Sequence, residues 1–571
     1  MWFVERVLRF NQERAAIAAL AAERWIENIR WRLDAAMVRV DADLIVGAVV
    51  RPVTLTYPDV FPFAPPSVKP RERAERWSAH QYGAGGELCL EHRPDNWEEH
   101  VTGADALRSA YRLLSTEAGA GEQPDAPREV PSAHRLTLGQ SLRVEPWRLV
   151  ETELLAEAVG KAWEPRAIKV RFSVTLRTIV AFVVKAFDAQ GVEWRDPTLP
   201  EPMAKWASGA GFALALPADD PKLQLLDAAV TGGARALRAF VVGDERSFES
   251  SETLLLALPS GLRAFEVDPA DNTASEYAIV PPDPGERAAP GRDALAEKRV
   301  AIVGAGSMGS KVAASLARAG VAKFLLIDDD VLAAENMARH ELDWMAVGAH
   351  KCDALAERLK LLRPGAEVDV RRQRLGGQES SGSLHGVLEA LGKCDLIVDA
   401  SGSDTAFNYA ASVAAEQKKP MVWGRVFGGG YGGMIARSRP DMDPAALDAR
   451  AAINHWCANP ELPDPPKTVA DYGAEGPDGQ PMIADDADVA YIAASVTRMA
   501  LDVSLAGSTS AFEHSAYMIG LRKEWIFRAA FDTWPIDLGA PRPVRAAEVS
   551  QEDWKEATEA IMGMLPKASN D

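Results

Sequence analysis

Apolar residues recur along this chain with three different spacings, and the changes of spacing divide it. Over the first stretch, Phe3, Val7, Leu8, Ile17 and Leu20 fall near one face of a helical wheel with charges between them, which predicts an amphipathic helix over residues 1–31. Short alternating runs follow, MVRVDADLIVGAVV (37–50) and PVTLTY (52–57), the pattern of an antiparallel meander. The prolines of YPDVFPFAPPSVKP (57–70) withhold backbone donors and predict an extended stretch outside regular pairing. Helical spacing returns in ADALRSAYRLLS (104–115).

The stretch AGAGEQPDAPREVPSAH (118–134) has linker composition and predicts the end of a first domain, 1–125. Residues 126–288 mix runs that read as strands, AIKVRFSVTL, LRAFVV and TLLLALP, with helical stretches, and carry no catalytic motif. Pro and Gly cluster again in VPPDPGERAAPGRD (280–293), after which the pattern becomes strand, glycine loop, helix, strand over 289–571. The predicted fold class is therefore α/β and multidomain.

Composition narrows the chemistry. With 571 residues the chain exceeds what one core supports, and 47% hydrophobic with 25% charged residues is ordinary for a soluble protein. A net charge of -19 argues against broad binding to a nucleic-acid backbone. Cys89, Cys352, Cys394 and Cys457 form no CxxC pair, which suits a reducing compartment and excludes a paired-knuckle zinc site. No run approaches the ~18 apolar residues of a membrane span, so a cytoplasmic protein is expected.

The apolar run Lys298-Arg299-Val300-Ala301-Ile302-Val303 leads into Gly304-Ala305-Gly306-Ser307-Met308-Gly309, then a helix, then the strand KFLLIDDD. Glycines let a backbone approach phosphate, a helix N-terminus adds partial positive charge, and Asp328 at the end of the second strand can accept from ribose hydroxyls. This predicts a nucleotide site without separating NAD from ATP. Asn336, Arg339 and Lys351 beyond that strand favour ATP: attack at an α-phosphate concentrates negative charge that cationic donors must stabilise, whereas hydride transfer needs none of them.

Asp328-Asp329-Asp330, then Asn336 and Arg339, then Lys351 after Gly348 resembles the ubiquitin-activating-enzyme, ThiF and MoeB superfamily. The resemblance implies a Rossmann-like adenylation domain. Asp328 would hold the ribose, Asn336, Arg339 and Lys351 the triphosphate, and Asp330 would sit near metal and phosphates. The family's second aspartate after the fourth strand, a Mg²⁺ ligand, is replaced here by Gly402 in LIVDASGSD, so Asp404 or Asp330 would take that role. Adenylation domains of this kind usually dimerise, which implies a homodimer. Transthiolating members carry a cysteine beyond this sheet. Cys457, in a segment read as irregular and Pro-rich, is the candidate, while Cys352 and Cys394 are expected to pack.

In the first domain, Tyr57-Pro58, Phe61-Pro62, Pro65-Pro66, His80, Gly86, Cys89 and Trp97 resemble, in order, the ubiquitin-conjugating-enzyme fold, an α+β domain. That resemblance makes Cys89 the acyl-accepting thiol and His80 part of its setting. The asparagine usual beside that histidine is absent, and Gln81 or Asn96 would have to supply its donor; His92 and His100 read as surface residues. A chain joining these domains through an α/β linker domain resembles the bacterial conjugating–activating fusions of type II CBASS antiphage operons. The resemblance implies ATP- and Mg-dependent adenylation of a C-terminal carboxylate, capture on Cys457, transfer to Cys89, and conjugation to a target protein. The carboxylate would belong to a ubiquitin-like modifier or a cGAS-like nucleotidyltransferase. The alternatives are the same chemistry in an operon with a separate small modifier, and a Rossmann nucleotide-binding scaffold without conjugation activity.

Overall fold

The computed structural model describes residues 1–571 apart from 73–75, 79, 83–84, 119–136, 163, 189, 244–247, 284–290, 470–472, 476–478, 506–508, 542–549 and 565–571. The chain forms two compact units, Met1–Val144 and Glu145–Asp571. Both domain boundaries expected from the sequence, 125/126 and 288/289, fall outside the described residues. Among the described residues no helix is long and apolar enough to cross a membrane.

In the first unit a helix, Val7–Ala19, precedes an antiparallel sheet of Ile26–Asp34, Met37–Val46, Val49–Thr56 and Ser67–Pro70, paired in sequence order, and the helix Gly103–Ala118 closes it. Alternate residues of Met37–Val46 are buried, as the meander pattern requires. The helix expected over 1–31 stops at Ala22, because Ile26–Asp34 pairs with Met37–Val46 through a two-residue turn. Ala35 and Ala36 both adopt positive φ, 49° and 64°, so a turn usually announced by Asn-Gly is made here by two alanines. The prolines do admit a strand: Ser67–Pro70 lies at the sheet edge, where a missing donor costs no ladder bond.

Glu13 pins the helices to the sheet. It is wholly buried, accepts from the Tyr57 hydroxyl and the Gly103 N–H, each at 2.7 Å, and lies 2.9 Å from the Arg9 guanidinium. A Cβ at Gly103 would meet the Tyr57 oxygen at 2.2 Å, so only glycine fits.

The second unit holds two large sheets. One has the order Thr273–Glu276, Gly261–Asp268, Glu252–Leu258, Gly209–Ala215, Arg166–Val174, Ile179–Phe187, Trp147–Val150, Ala278–Val280, with Glu193–Arg195 beside Ile179–Phe187. LRAFVV, read from sequence as a strand, ends the helix Gly233–Val242. Its buried residues Ala234, Leu237, Arg238 and Val241 follow helical spacing, and that packing overrides the β-propensity of Phe-Val-Val. The other sheet has the order Glu367–Arg371, Lys323–Ile327, Arg299–Val303, Leu396–Asp399, Met421–Val426, Gly432–Ser438, Ala516–Gly520, Thr533–Ile536. Its first five strands are parallel. Val300, Ala301, Ile302 and Val303 are buried because two cores sandwich the strand, which accounts for its unbroken apolar run. The strand order reverses between Arg299–Val303 and Leu396–Asp399, and such a switch opens a crevice at the carboxyl ends of the strands.

Candidate functional site

The glycine loop lies at that switch. Gly304 has φ of 88°, and a Cβ on it would sit 2.6 Å from the Ser401 Cα of the neighbouring strand end. A Cβ on Gly309 would lie 1.8 Å from the Gly304 carbonyl oxygen. These two glycines are required by the chain's own packing. Gly306 is different: an added Cβ would meet nothing within 4 Å. It caps the 13-residue helix Ser307–Ala319 without a side chain, leaving the helix N-terminus open to an anion.

Beside this opening lies Asp328, and Asp330, two residues on, meets Lys351. Asp328 follows the strand Lys323–Ile327; its oxygens accept from the Ala305 N–H (2.7 Å) and the Asp330 N–H (2.9 Å), and burial raises its carboxyl above the ordinary value. Lys351 begins the helix Lys351–Leu362 and is nearly buried; its ammonium lies 2.8 Å from the Asp330 carboxylate, and its N–H donates to the Asp330 carbonyl. Asn336 caps a short turn by accepting from the Ala333 N–H at 3.0 Å, and its carbonyl accepts from the Arg339 N–H. The Arg339 guanidinium donates to the Ala484 carbonyl at 3.0 Å. The carboxylates of Asp328, Asp329 and Asp330 approach one another within 4.8 Å. Asp404 is not among them: it begins the helix Asp404–Glu416, its side chain is 80% exposed, and it lies 3.6 Å from Arg450.

His340 and Lys311 were not flagged by sequence. His340 is buried, and its Nε2 contacts the Ala305 carbonyl at 2.9 Å. Lys311, inside the glycine-loop helix, lies 2.7 Å from Asp486. Asp399 is buried and accepts from the Ser401 hydroxyl and N–H; burial pushes its carboxyl up to about 6. The His340–Ala305 and Lys311–Asp486 contacts join residues far apart in the chain, and no local pattern announces them. Asp399 lies in the LIVDASGSD run already read from sequence, and its contacts to Ser401 are local.

Cys457 is the last residue of the helix Ala446–Cys457, not part of an irregular segment; the Pro-rich stretch begins after it. Ala446, Ala449 and Ile453 face the core at helical spacing and carry the helix that far. Its thiol is half-buried among apolar groups, and burial raises it above the ordinary cysteine value. Cys352 and Cys394 are fully buried; burial pushes Cys352 far up and Cys394 up to about 11, as packing residues require.

In the first unit, Cys89 lies between the core residues Leu88 and Leu90 and is 6% exposed. Burial raises its thiol, with the Arg93 cation working the other way. Its backbone N–H donates to the His80 carbonyl at 2.8 Å. The His80 ring lies 3.9 Å from the Glu117 carboxylate, which also accepts from the Ser78 hydroxyl, and the His80 N–H donates to that hydroxyl. Gln81 is committed to its own loop, accepting from the Trp77 N–H and donating to the Gly86 carbonyl. Asn96 likewise ties the loop after Cys89, donating to the Glu91 carbonyl and accepting from the Arg93 N–H.

Residues 285–444 match the ThiF family. The ATP-dependent ubiquitin transferase-like protein Cap2 of Pseudomonas aeruginosa (strain BWHPSA011 / Pa011) is 33% identical over 129 residues, 21% of this chain and 21% of that protein. Its namesake from Enterobacter hormaechei subsp. hoffmannii (strain UCI 50) is 30% identical over 128 residues, 22% of this chain and 20% of that protein. The match therefore spans about a fifth of each Cap2 relative. The sulfur carrier protein ThiS adenylyltransferase of Escherichia coli (strain K12) is 23% identical over 188 residues, 33% of this chain and 68% of that protein. The solved structure of E. coli MccB with ATP is 16% identical over 45% of this chain and 68% of that one, at a TM-score of 0.33. Residues 285–444 thus match the ThiF family, and about a fifth of the chain is similar to the Cap2 proteins.

Proposed function

We propose that the chain activates a protein C-terminus with ATP and conjugates it to a target through two cysteines, in antiphage defence. The observation that carries this reading is that Asp328 is held to the glycine loop at Ala305 and Asp330 to Lys351, with Asn336 and Arg339 on the turn between them, beside the open Gly306. The residues fit a nucleoside triphosphate: the bare Gly306 and the helix N-terminus accept phosphate, Asp328 offers acceptors to ribose, and Lys351 and Arg339 supply positive charge. Mg²⁺, which offsets phosphate charge, suits the carboxylates grouped at Asp328–Asp330; Asp404 is ion-paired with Arg450 instead.

In this reading a carboxylate oxygen of the bound C-terminus attacks the α-phosphorus and pyrophosphate leaves. The Cys457 sulfur then attacks the activated carbonyl and AMP leaves. The Cys89 sulfur displaces that of Cys457, and an amine or hydroxyl of the target displaces Cys89 in turn. Burial raises both thiols, so each must lose its proton as it attacks rather than rest as a thiolate. The acyl donor is a ubiquitin-like modifier or the C-terminus of a cGAS-like nucleotidyltransferase.

Pyrophosphate exchange into ATP, measured with and without a partner bearing a free C-terminus, tests the first step; exchange with neither would end the reading. Cys457→Ala should leave exchange intact and remove the reducing-agent-sensitive adduct. Cys89→Ala should hold that adduct on the activating half. Normal conjugation by Cys89→Ala would remove the conjugating assignment.

A further inference from the structure

We propose that His340 is a positioning residue of the glycine loop: by holding the Ala305 carbonyl it turns the Gly306 N–H outward, as the donor that meets a nucleotide phosphate. The proposal rests on the nucleotide reading above and deepens it. Across a trans peptide the carbonyl of one residue and the N–H of the next point in opposite directions. Fixing the Ala305 oxygen therefore fixes the direction of the Gly306 N–H.

The imidazole is built for this. It is 8% exposed, its Nδ1 accepts from the Leu342 N–H at 3.2 Å, and that bond leaves the proton on Nε2. Nε2–H then donates to the Ala305 carbonyl at 2.9 Å. The same residue's N–H is held from the other side by Asp328 at 2.7 Å, so Ala305 is clamped at both polar atoms. What the clamp presents is the position that chain packing leaves open. No atom lies within 4 Å of a Cβ built on Gly306, and among the described residues its N–H has no acceptor. A peptide pinned on its buried side, with a free donor on its open side, is how a backbone cradle receives an anion.

Burial, with Lys351 and Lys311 nearby, lowers the His340 pKa and keeps the ring neutral. A cationic ring would lose the Nδ1 acceptor that orients it.

The full chain is tested by equilibrium binding of ATP and, separately, of adenosine, which lacks phosphate. His340→Phe keeps a ring and removes the donor. It should weaken ATP roughly tenfold and leave adenosine unchanged. His340→Gln, which retains both a donor and an acceptor, should return ATP affinity to within about threefold of the parent. His340→Leu replaces the phenylalanine variant if the latter does not fold. Unchanged ATP affinity in His340→Phe, an equal loss for adenosine, or no rescue by glutamine overturns the proposal. Absence of ATP binding in the unaltered chain would instead overturn the nucleotide reading itself.

Discussion

The strands Gly209–Ala215 and Arg299–Val303 each run through a helical crossover to a parallel neighbour, yet they end very differently. After Arg299–Val303 comes Gly304-Ala305-Gly306, and the helix cap carries no side chain. After Gly209–Ala215 comes Leu216-Pro217-Ala218-Asp219-Asp220-Pro221, and the Asp220 carboxylate accepts from the Lys222 N–H at 2.8 Å. In the second case the chain itself supplies the anion at the helical N-terminus. A phosphate would meet a filled cap and two carboxylates there. The difference teaches that a strand–helix crossover becomes a phosphate site when its cap is left empty, and that one aspartate suffices to close it.

The largest expected effect is at Lys351, which meets Asp330 beside the open glycine junction. Lys351→Ala should lower pyrophosphate exchange by roughly a hundredfold or more. The Asp330 left behind is 64% exposed in its side chain, so folding stability should fall by less than ~1 kcal/mol. A parallel collapse in thermal melting would mean that Lys351 is structural.

Next comes conversion of one junction into the other. Gly306→Asp places the Asp220 arrangement on the glycine loop, where φ is -73° and a side chain has room. Binding calorimetry should show ATP weakened by about tenfold to a hundredfold while the melting temperature holds or rises slightly, since an aspartate cap favours the helix over glycine by about a few tenths of a kcal/mol. Retained ATP affinity would place the phosphate elsewhere.

Asp399, beneath the crevice, sharpens the contrast through pH. Its folded carboxyl is raised to about 6 from an ordinary 3.8. Its contribution to stability is therefore fully present below about 3.8 and lost as pH rises through about 6. Asp399→Asn removes that loss. Its stability relative to the parent should become more favourable between pH 4 and pH 7 by about 1–3 kcal/mol in chemical denaturation. A pH-independent difference would mean that the carboxyl is ionised throughout.

The smallest effect belongs to the closed junction. Asp220→Ala should cost ~1 kcal/mol of stability from the lost cap, with ATP affinity unchanged. Any change in nucleotide binding would dissolve the comparison.

Much of the candidate crevice could be laid out from sequence because its parts are local. The glycine loop, Asp328, Asn336, Arg339 and Lys351 lie within one strand–helix–strand unit and the turns after it, where spacing and geometry are nearly the same information. The first sheet was legible in its alternation but not in its start. Two alanines at positive φ make a turn with no sequence signal, so the strand Ile26–Asp34 was hidden inside a supposed helix. The helix ending at Val242 was hidden in the same way, by β-prone residues whose burial followed a helical period. Cys457 was seen as a candidate thiol but placed in a loop, because the prolines after it outweighed the weak small-residue face of Ala446, Ala449 and Ile453.

Sequence alone determined the α/β class, the glycine register and the cationic residues beyond the second strand, since each depends on neighbours within a few turns of chain. Only the tertiary structure decided which glycine faces open space, that His340 holds Ala305, that Arg339 reaches Ala484, and that Asp404 faces Arg450 instead of joining the other carboxylates. Those pairings are set by how strands and helices stack, and a linear pattern carries no record of which distant side chain that stacking brings alongside.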